Sequence, residues 1–281
     1  MPYKSKDYYL NNKNFNRKIF ANSKKLQKLL KLAKTGKYSS LELSHRFNCN
    51  RKAIIYALYS KKIILPNLGR FRKRIICNNL FFDKLNPHSA YWAGFIAADG
   101  NLYKKENLIS IGLNWKDLNH LKKFKRALKT NAKIRLVKSN KSAQIRFRSE
   151  KVFDDLVNLG ITPNKSLTIS EVKIPMILMP DFLRGVYDGD GSISGKDRSH
   201  LQLCIVGNKP FLEYIQNIFI KQIKINKTKI YDMKNCLAKR IQYTGIQTIK
   251  ILDFFYKNSD NNTRLDRKYK NYLLLKREYT G

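Results

Sequence analysis

Two short segments of the chain end in an Asp-Gly dipeptide and match one another: YWAGFIAADGNL at 91–102 and FLRGVYDGDGSI at 182–193. An offset of 91 aligns Trp92 with Leu183, Gly94 with Gly185, Phe95 with Val186, Asp99 with Asp190, Gly100 with Gly191 and Leu102 with Ile193. Apolar spacing predicts a helix running up to each Asp and a stop at each Gly. An anion at a helix C-terminus opposes the macrodipole and calls for a compensating cation. Ala93, Gly94, Ala97 and Ala98, with Gly185 and Gly189, are small, so the two helices can approach closely and bring the carboxylates together. Two carboxylates at such a seam form a hard-oxygen site suited to Mg²⁺, which keeps several waters and takes phosphate oxygens. A divalent ion held there can activate water and stabilise an in-line displacement at phosphorus.

The elements around these dipeptides repeat as well. NLISIGLN (107–114) matches LQLCIVGN (201–208) at an offset of 94. Apolar periodicity then predicts helices over about 116–128 and 209–222, strands at 133–138, 143–148, 227–232 and 239–244, and closing helices near 151–159 and 246–257. Each half reads αββαββα.

The charge names the partner class. The 281 residues carry 57 Lys and Arg against 20 Asp and Glu, a net charge of +37. Self-repulsion at that density destabilises a compact chain unless a polyanion binds, and nucleic acid is the natural one. Residues 1–88 hold 21 Lys and Arg against Asp7, Glu42 and Asp83, so the N-terminal third is the more basic per residue. No apolar run approaches a membrane span, the first residues lack a signal-peptide stretch, and no basic amphipathic helix has a strong apolar face. An intracellular protein without a membrane partner is expected: in a bacterial cytoplasm, a phage-infected cell or an organelle. Cys49, Cys77, Cys204 and Cys236 are too far apart for a zinc or disulfide framework.

The N-terminal region reads as a basic tail (1–22), a helical unit (23–65) and a basic linker (66–88). Leu26, Leu29, Leu30 and Ala33 recur at helical spacing after Ser23, with Gly36 as the stop. Ser40 is read as the cap of a short helix through Phe47, Asn48–Cys49–Asn50 turns, and Arg51–Tyr59 forms a second helix. This pattern resembles a helix-turn-helix unit, whose second helix would place Asn50, Arg51, Lys52 and Tyr56 in the major groove. The run with Arg70, Arg72, Lys73 and Arg74 would follow a phosphate backbone or lie in a minor groove.

AGFIAADG and LRGVYDGDG resemble the two signature helices of the LAGLIDADG homing endonucleases, in the single-chain form. The resemblance spans about residues 80–281 and includes LGITPNKS (159–166) and RLDRKY (264–269). It implies an α+β fold: two αββαββα repeats (89–170 and 171–281) forming a pseudo-two-fold saddle of antiparallel sheets, after the all-α helix-turn-helix domain. It further implies that Asp99 and Asp190, with Gly100 and Gly191, hold two or more divalent ions, Mg²⁺, near two scissile phosphates. Lys165 and Lys268 match the family's basic residues beside each centre, where an ammonium offsets developing negative charge. Asp188 occupies a place where the family often has an acid, but Ala97 stands in the first copy, so Asp188 is expected to be structural. Arg184 departs from the small residues usual there and is expected to project outward, to pair or touch DNA.

Strand alternation sets the reading surface. Lys133, Arg135, Gln144, Arg146, Arg148, Arg240, Gln242 and Thr244 are predicted to face away from the helices. Lys227, Lys229, Asn101, Tyr103, Ser192, Ser194, Lys196 and Gln202 complete that surface. Such side chains suit paired hydrogen bonds to guanine and adenine edges. His45, His88, His120 and His200 show no ligand spacing and are expected to be surface or helix residues.

The expected function is Mg²⁺-dependent, site-specific double-strand cleavage of DNA at a long asymmetric site, by a monomer encoded in a mobile intron or a free-standing gene. The alternatives are a maturase that binds intron RNA and a non-cutting DNA-binding regulator.

Overall fold

The computed structural model describes residues 20, 23–35, 38–61, 63, 75–195 and 201–280. The chain divides into two compact units, 1–74 and 75–281. Arg70, Arg72, Lys73, Arg74, Lys196, His200 and the stop at Gly36 lie outside the described residues, as does nearly all of the expected tail.

The first unit holds α1 (Ser23–Lys34), α2 (Ser40–Arg46) and α3 (Arg51–Tyr59). Leu29 and Ala33 of α1, Leu43 of α2 and Ile54, Ala57 and Leu58 of α3 share one small core. Ser39, rather than Ser40, caps α2: its hydroxyl accepts from Glu42 N while Glu42 Oε2 accepts from Ser39 N at 2.7 Å. Asn48 takes a left-handed φ of 45°, which an Asn tolerates, and turns the chain into α3.

In the second unit, residues 75–86, expected in the linker, are built into the domain. Phe82 is buried in the core, Asn78 N donates to Leu128 O, and Ile76 N donates to Asn131 Oδ1. The first repeat runs α4 (Pro87–Asp99), β1 (Gly100–Tyr103), β2 (Leu108–Asn114), α5 (Leu118–Ala127), β3 (Ile134–Val137), β4 (Ser142–Arg148) and α6 (Glu150–Asn158). A four-residue α7 (Lys165–Thr168) follows. The second repeat is α8 (Met179–Asp190), β5 (Gly191–Ser194), β6 (Gln202–Gly207), α9 (Lys209–Ile223), β7 (Ile230–Asp232), β8 (Lys239–Thr244) and α10 (Ile246–Tyr256), closed by α11 (Asp266–Thr280).

Each repeat makes a four-stranded antiparallel sheet, ordered β1-β2-β4-β3 and β5-β6-β8-β7. Ile109, Ile111, Ala143, Ile145 and Phe147 of the first sheet face the helices, as do Leu203, Ile205, Ile241 and Tyr243 of the second. One apolar core spans both repeats. The strands expected at 133–138 and 227–232 are shorter, so Lys133, Lys227 and Lys229 precede the pairing that would orient them.

Candidate active site at the seam of two helices

The two motif helices touch backbone to backbone. A Cβ on Gly94 would lie 1.9 Å from Phe182 O, and one on Gly185 would lie 2.1 Å from Tyr91 O. The contact is reciprocal, since Tyr91 and Phe182 are equivalent across the 91-residue offset. Equivalent surfaces meet, as at a two-fold interface. Further along, a Cβ on Gly189 would strike Ala98 Cβ at 2.3 Å. Pairing 91 with 185 and 98 with 189 means that the helices run the same way and end side by side.

Gly100 and Gly191 do end the helices, though not as left-handed caps. Their φ values are −78° and −92°, ordinary extended backbone that begins β1 and β5. Glycine is needed for clearance: a Cβ would lie 2.6 Å from Ile96 O at Gly100 and 2.6 Å from Tyr187 O at Gly191.

Asp99 and Asp190 therefore stand together at two aligned negative helix ends. Asp99 Oδ2 lies 3.4 Å from where a Gly189 Cβ would be, so it leans on the opposite helix. Among the described residues neither carboxylate has a hydrogen bond or ion pair. Surrounding protein strips water from Asp99, Asp190 repels it, and its carboxyl rises to about 6 although Lys268 and Lys165 pull it down. Desolvation raises Asp190 as well, against Lys165 and then Lys268. Asp190 nonetheless remains open to solvent.

Both lysines are buried and cap the helix ends. Lys165 Nζ donates to Ala98 O at 2.6 Å. Lys268 Nζ donates to Tyr187 O at 2.6 Å, Asp188 O at 2.9 Å and Gly191 O at 2.6 Å. These contacts add donors where helix carbonyls run out of partners, although Tyr187 O also accepts from Gly191 N and Gly191 itself begins β5. Burial lowers both ammoniums, Lys268 to about 8. Lys268 also takes a lone pair of the Gly191 carbonyl, so that oxygen is not a free metal ligand.

The donor set suits a hard divalent cation. Two neighbouring carboxylates are hard oxygen donors of the kind Mg²⁺ takes, and the remaining positions would be filled by water and phosphate oxygens. No group of three His, Cys, Asp or Glu side chains is found among the described residues, so an all-protein cage is not offered here.

Asp188 is fully buried and structural. It accepts from Tyr91 Oη at 2.8 Å, Tyr256 Oη at 3.0 Å and Leu265 N at 2.7 Å. Arg184 does not project outward. It is buried, donating to Thr263 O at 2.6 Å, Phe255 O at 2.7 Å and Asp181 Oδ1 at 2.7 Å. Its outward-facing assignment fails because helix α8 is enclosed on that side by the end of α10 and the chain after it. His120 is a helix residue, as one of the two expected places has it: on α5 it packs against Trp92 and Phe95, 2% exposed, and burial depresses it to about 3. Tyr91 Oη donates to Asp188, so the 2.8 Å contact with His120 is an Nε2–H donation, and the ring is neutral. His88 pairs with Asp260, and His45 is exposed on α2.

The outer sheet faces carry aligned rows. Asn101, Ser110 and Arg146 stand opposite one another across β1, β2 and β4, and Ser192, Cys204 and Gln242 form the equivalent row in the second sheet. Arg135, Gln144 and Gly112 share another row, as do Ser194, Gln202 and Thr244. Ser110, Cys204 and Tyr231, which register places on this face, are missed by a search for long polar side chains; strand alternation alone would have found them. Arg148 is engaged by Glu106, and Tyr103 Oη accepts from Asn101. Arg240 stands opposite Tyr231, over whose ring Lys229 lies at 5.8 Å. In the first unit Asn50 caps α3 by accepting from Lys52 N, and Arg51 Nε donates to Ser40 Oγ at 2.8 Å. Tyr56 is half-buried.

No protein-family model matches the chain, and no curated protein matches it. Solved structures with a similar fold include the meganuclease I-SmaMI bound to uncleaveable DNA, 19% identical, covering 68% of this chain and 87% of that one at a TM-score of 0.44. The LAGLIDADG meganuclease I-CpaMI bound to uncleaved DNA is 20% identical, covering 68% and 90% at 0.44. Full-length DUF199/WhiA from Thermatoga maritima is 16% identical, covering 70% and 64% at 0.47. At these identities the likeness is one of fold alone. No helix among the described residues is long and apolar enough to cross a membrane.

Proposed function

We propose that the chain is a site-specific, divalent-metal-dependent DNA endonuclease of the LAGLIDADG kind, acting as a monomer whose two repeats supply one carboxylate each. The observation that carries this reading is the pair Asp99 and Asp190, held together by backbone-to-backbone helix packing and flanked by two buried lysines. Asp99 and Asp190 would hold Mg²⁺, which supplies a more acidic bound water and charge neutralisation at phosphorus. The Gly100 and Gly191 carbonyls are secondary candidates, Gly191 the weaker because Lys268 occupies it. Lys165 and Lys268 keep positive charge beside the carboxylates, where it favours the crowded anionic phosphorane. The aligned outer rows of each sheet, with Arg135, Gln144, Arg146, Arg240 and Gln242, would read base edges, while Lys133, Lys227 and Lys229 would contact phosphate. The first unit would extend the contact through α3, although Asn50 and Arg51 first serve the fold.

The test is incubation of purified protein with a fragment library from the source genome, its insertion loci joined intron-free, in Mg²⁺ and in EDTA, followed by end sequencing. Discrete Mg²⁺-dependent double-strand ends are expected. Tight binding without ends would overturn the nuclease reading and favour a regulator or an RNA maturase.

A further inference from the structure

The two lysines beside the carboxylates are held very differently. Lys165 sits on a four-residue helix and makes one carbonyl contact. Lys268 lies in the first turn of a 15-residue helix, and the residues before it are gripped from the first repeat. Arg267 pairs bidentately with Asp117, at 3.0 Å (Nε–Oδ1) and 3.1 Å (Nη2–Oδ2). Asp117 closes the single turn before α5 and is buried to 8% exposure, while Arg267 is half-exposed. One turn into α5, Lys123 Nζ donates to Asp266 Oδ1 at 2.6 Å and to Arg264 O at 3.1 Å. From the second repeat, Asp188 accepts from Leu265 N. Residues 264–267 are thus fixed on both sides, and Lys268 follows directly, with Asp99, Asp188, Asp190 and Arg267 as the charges around its ammonium.

We propose that Asp117 is a positioning residue: through Arg267, and together with the Lys123–Asp266 pair, it fixes the first turn of α11 so that Lys268 stays on the motif-helix carbonyls. The strand served by Lys268 therefore depends on a residue of the other repeat. A fork-to-carboxylate pair sets direction as well as distance, which a lone ion pair does not. This rests on the endonuclease reading for its effect on cleavage, but the placement of Lys268 is readable without it.

The experiment follows each strand of the mapped target site separately, with full-length wild type, Lys268→Ala, Asp117→Asn, Arg267→Gln and Asp117→Glu. Asp117→Asn and Arg267→Gln are expected to slow, about tenfold or more, the strand that Lys268→Ala slows most. The other strand should change less than twofold, and Asp117→Glu should restore much of the loss. Equal slowing of both strands, as from simple loss of stability, would overturn the proposal, and so would no slowing. If wild type cuts no DNA, the endonuclease reading fails by itself, and amine labelling read by mass spectrometry still decides the clamp. Lys268 should be protected in wild type and labelled several-fold faster in Asp117→Asn, with Lys165 unchanged as the internal control. Equal protection of Lys268 in both proteins, or matching exposure of both lysines, would overturn it.

Discussion

The two motif helices share a backbone arrangement but not a chemistry. Helix α4 buries Tyr91, Trp92, Phe95 and Ile96, and none of its buried residues is charged. Helix α8 buries Asp181, Arg184 and Asp188 as well. At the positions equivalent to Arg184 and Asp188 the first helix has Ala93 and Ala97. The polar groups of α8 are satisfied largely by the end of α10 and the chain after it: the carbonyls of Phe255 and Thr263, the Tyr256 hydroxyl and the Leu265 amide. The second helix is therefore also an anchor for the segment that delivers Lys268. The same close packing can be built with or without buried charge, but only the charged version ties a distant segment to the active ends.

The sharpest way to break the shared part is Gly94→Ala or Gly185→Ala. Each new methyl would meet a backbone carbonyl that has no room to move. A loss above about 4 kcal/mol, or failure to fold, is expected in chemical denaturation. Gly112→Ala, whose nearest neighbour would be 3.9 Å away, should stay within about 0.5 kcal/mol.

The unshared part breaks with Arg184→Met. It leaves Asp181 and two carbonyls without their donor, and a loss of about 3–5 kcal/mol is expected, measured the same way. A loss below about 1 kcal/mol would mean that α8 does not depend on its buried charge.

Asp99 offers a change of the opposite sign. Its folded-state pKa of about 6 lies above the ordinary value of 3.8, so the folded chain binds this proton more tightly than the unfolded chain. Asp99's contribution to stability is then full below about pH 4 and is lost as pH rises through about 6. Asp99→Asn should stabilise the protein at pH 7.5 in EDTA, by up to about 3 kcal/mol, and much less at pH 4. Thermal unfolding at the two pH values checks this. In wild type, metal affinity should rise through the same window, because the carboxyl must lose its proton to bind.

The smallest effect compares two neighbouring arginines on β4. Arg146 stands on the outer row without an ion-pair partner among the described residues, while Arg148 is engaged by Glu106. Arg146→Ala should lower DNA affinity and, if it contacts phosphate, cut the salt slope by about one, whereas Arg148→Ala should do less. Binding titrations at three salt concentrations distinguish them.

Much of this architecture is legible in the sequence because its causes are local or duplicated. Small residues at helical spacing, matched across 91 positions, require close helix packing, and period-two alternation assigns the sheet faces. Arg184 was not legible in the same way. An arginine on a helix ordinarily reads as exposed, and the groups that bury it come from residues 255 and 263, whose placement no local pattern encodes. For His120 the helix was legible and the burial was not, since its partner Tyr91 lies on another helix. The stops at Gly100 and Gly191 were legible, but their reason was not: a left-handed cap and a lack of room for Cβ leave the same residue in the sequence. The pairs Asp117–Arg267 and Lys123–Asp266 join residues about 150 positions apart and leave no local trace.

The central claim, that Asp99 and Asp190 act together as a cation-holding pair for phosphodiester hydrolysis, is tested most directly on the mapped target site. Cleavage of both strands would be followed in Mg²⁺ for wild type, Asp99→Asn and Asp190→Asn. Each variant should bind the site as wild type does, yet lose double-strand cleavage, leaving nicked or intact DNA. Undiminished double-strand cleavage by either variant would contradict the account.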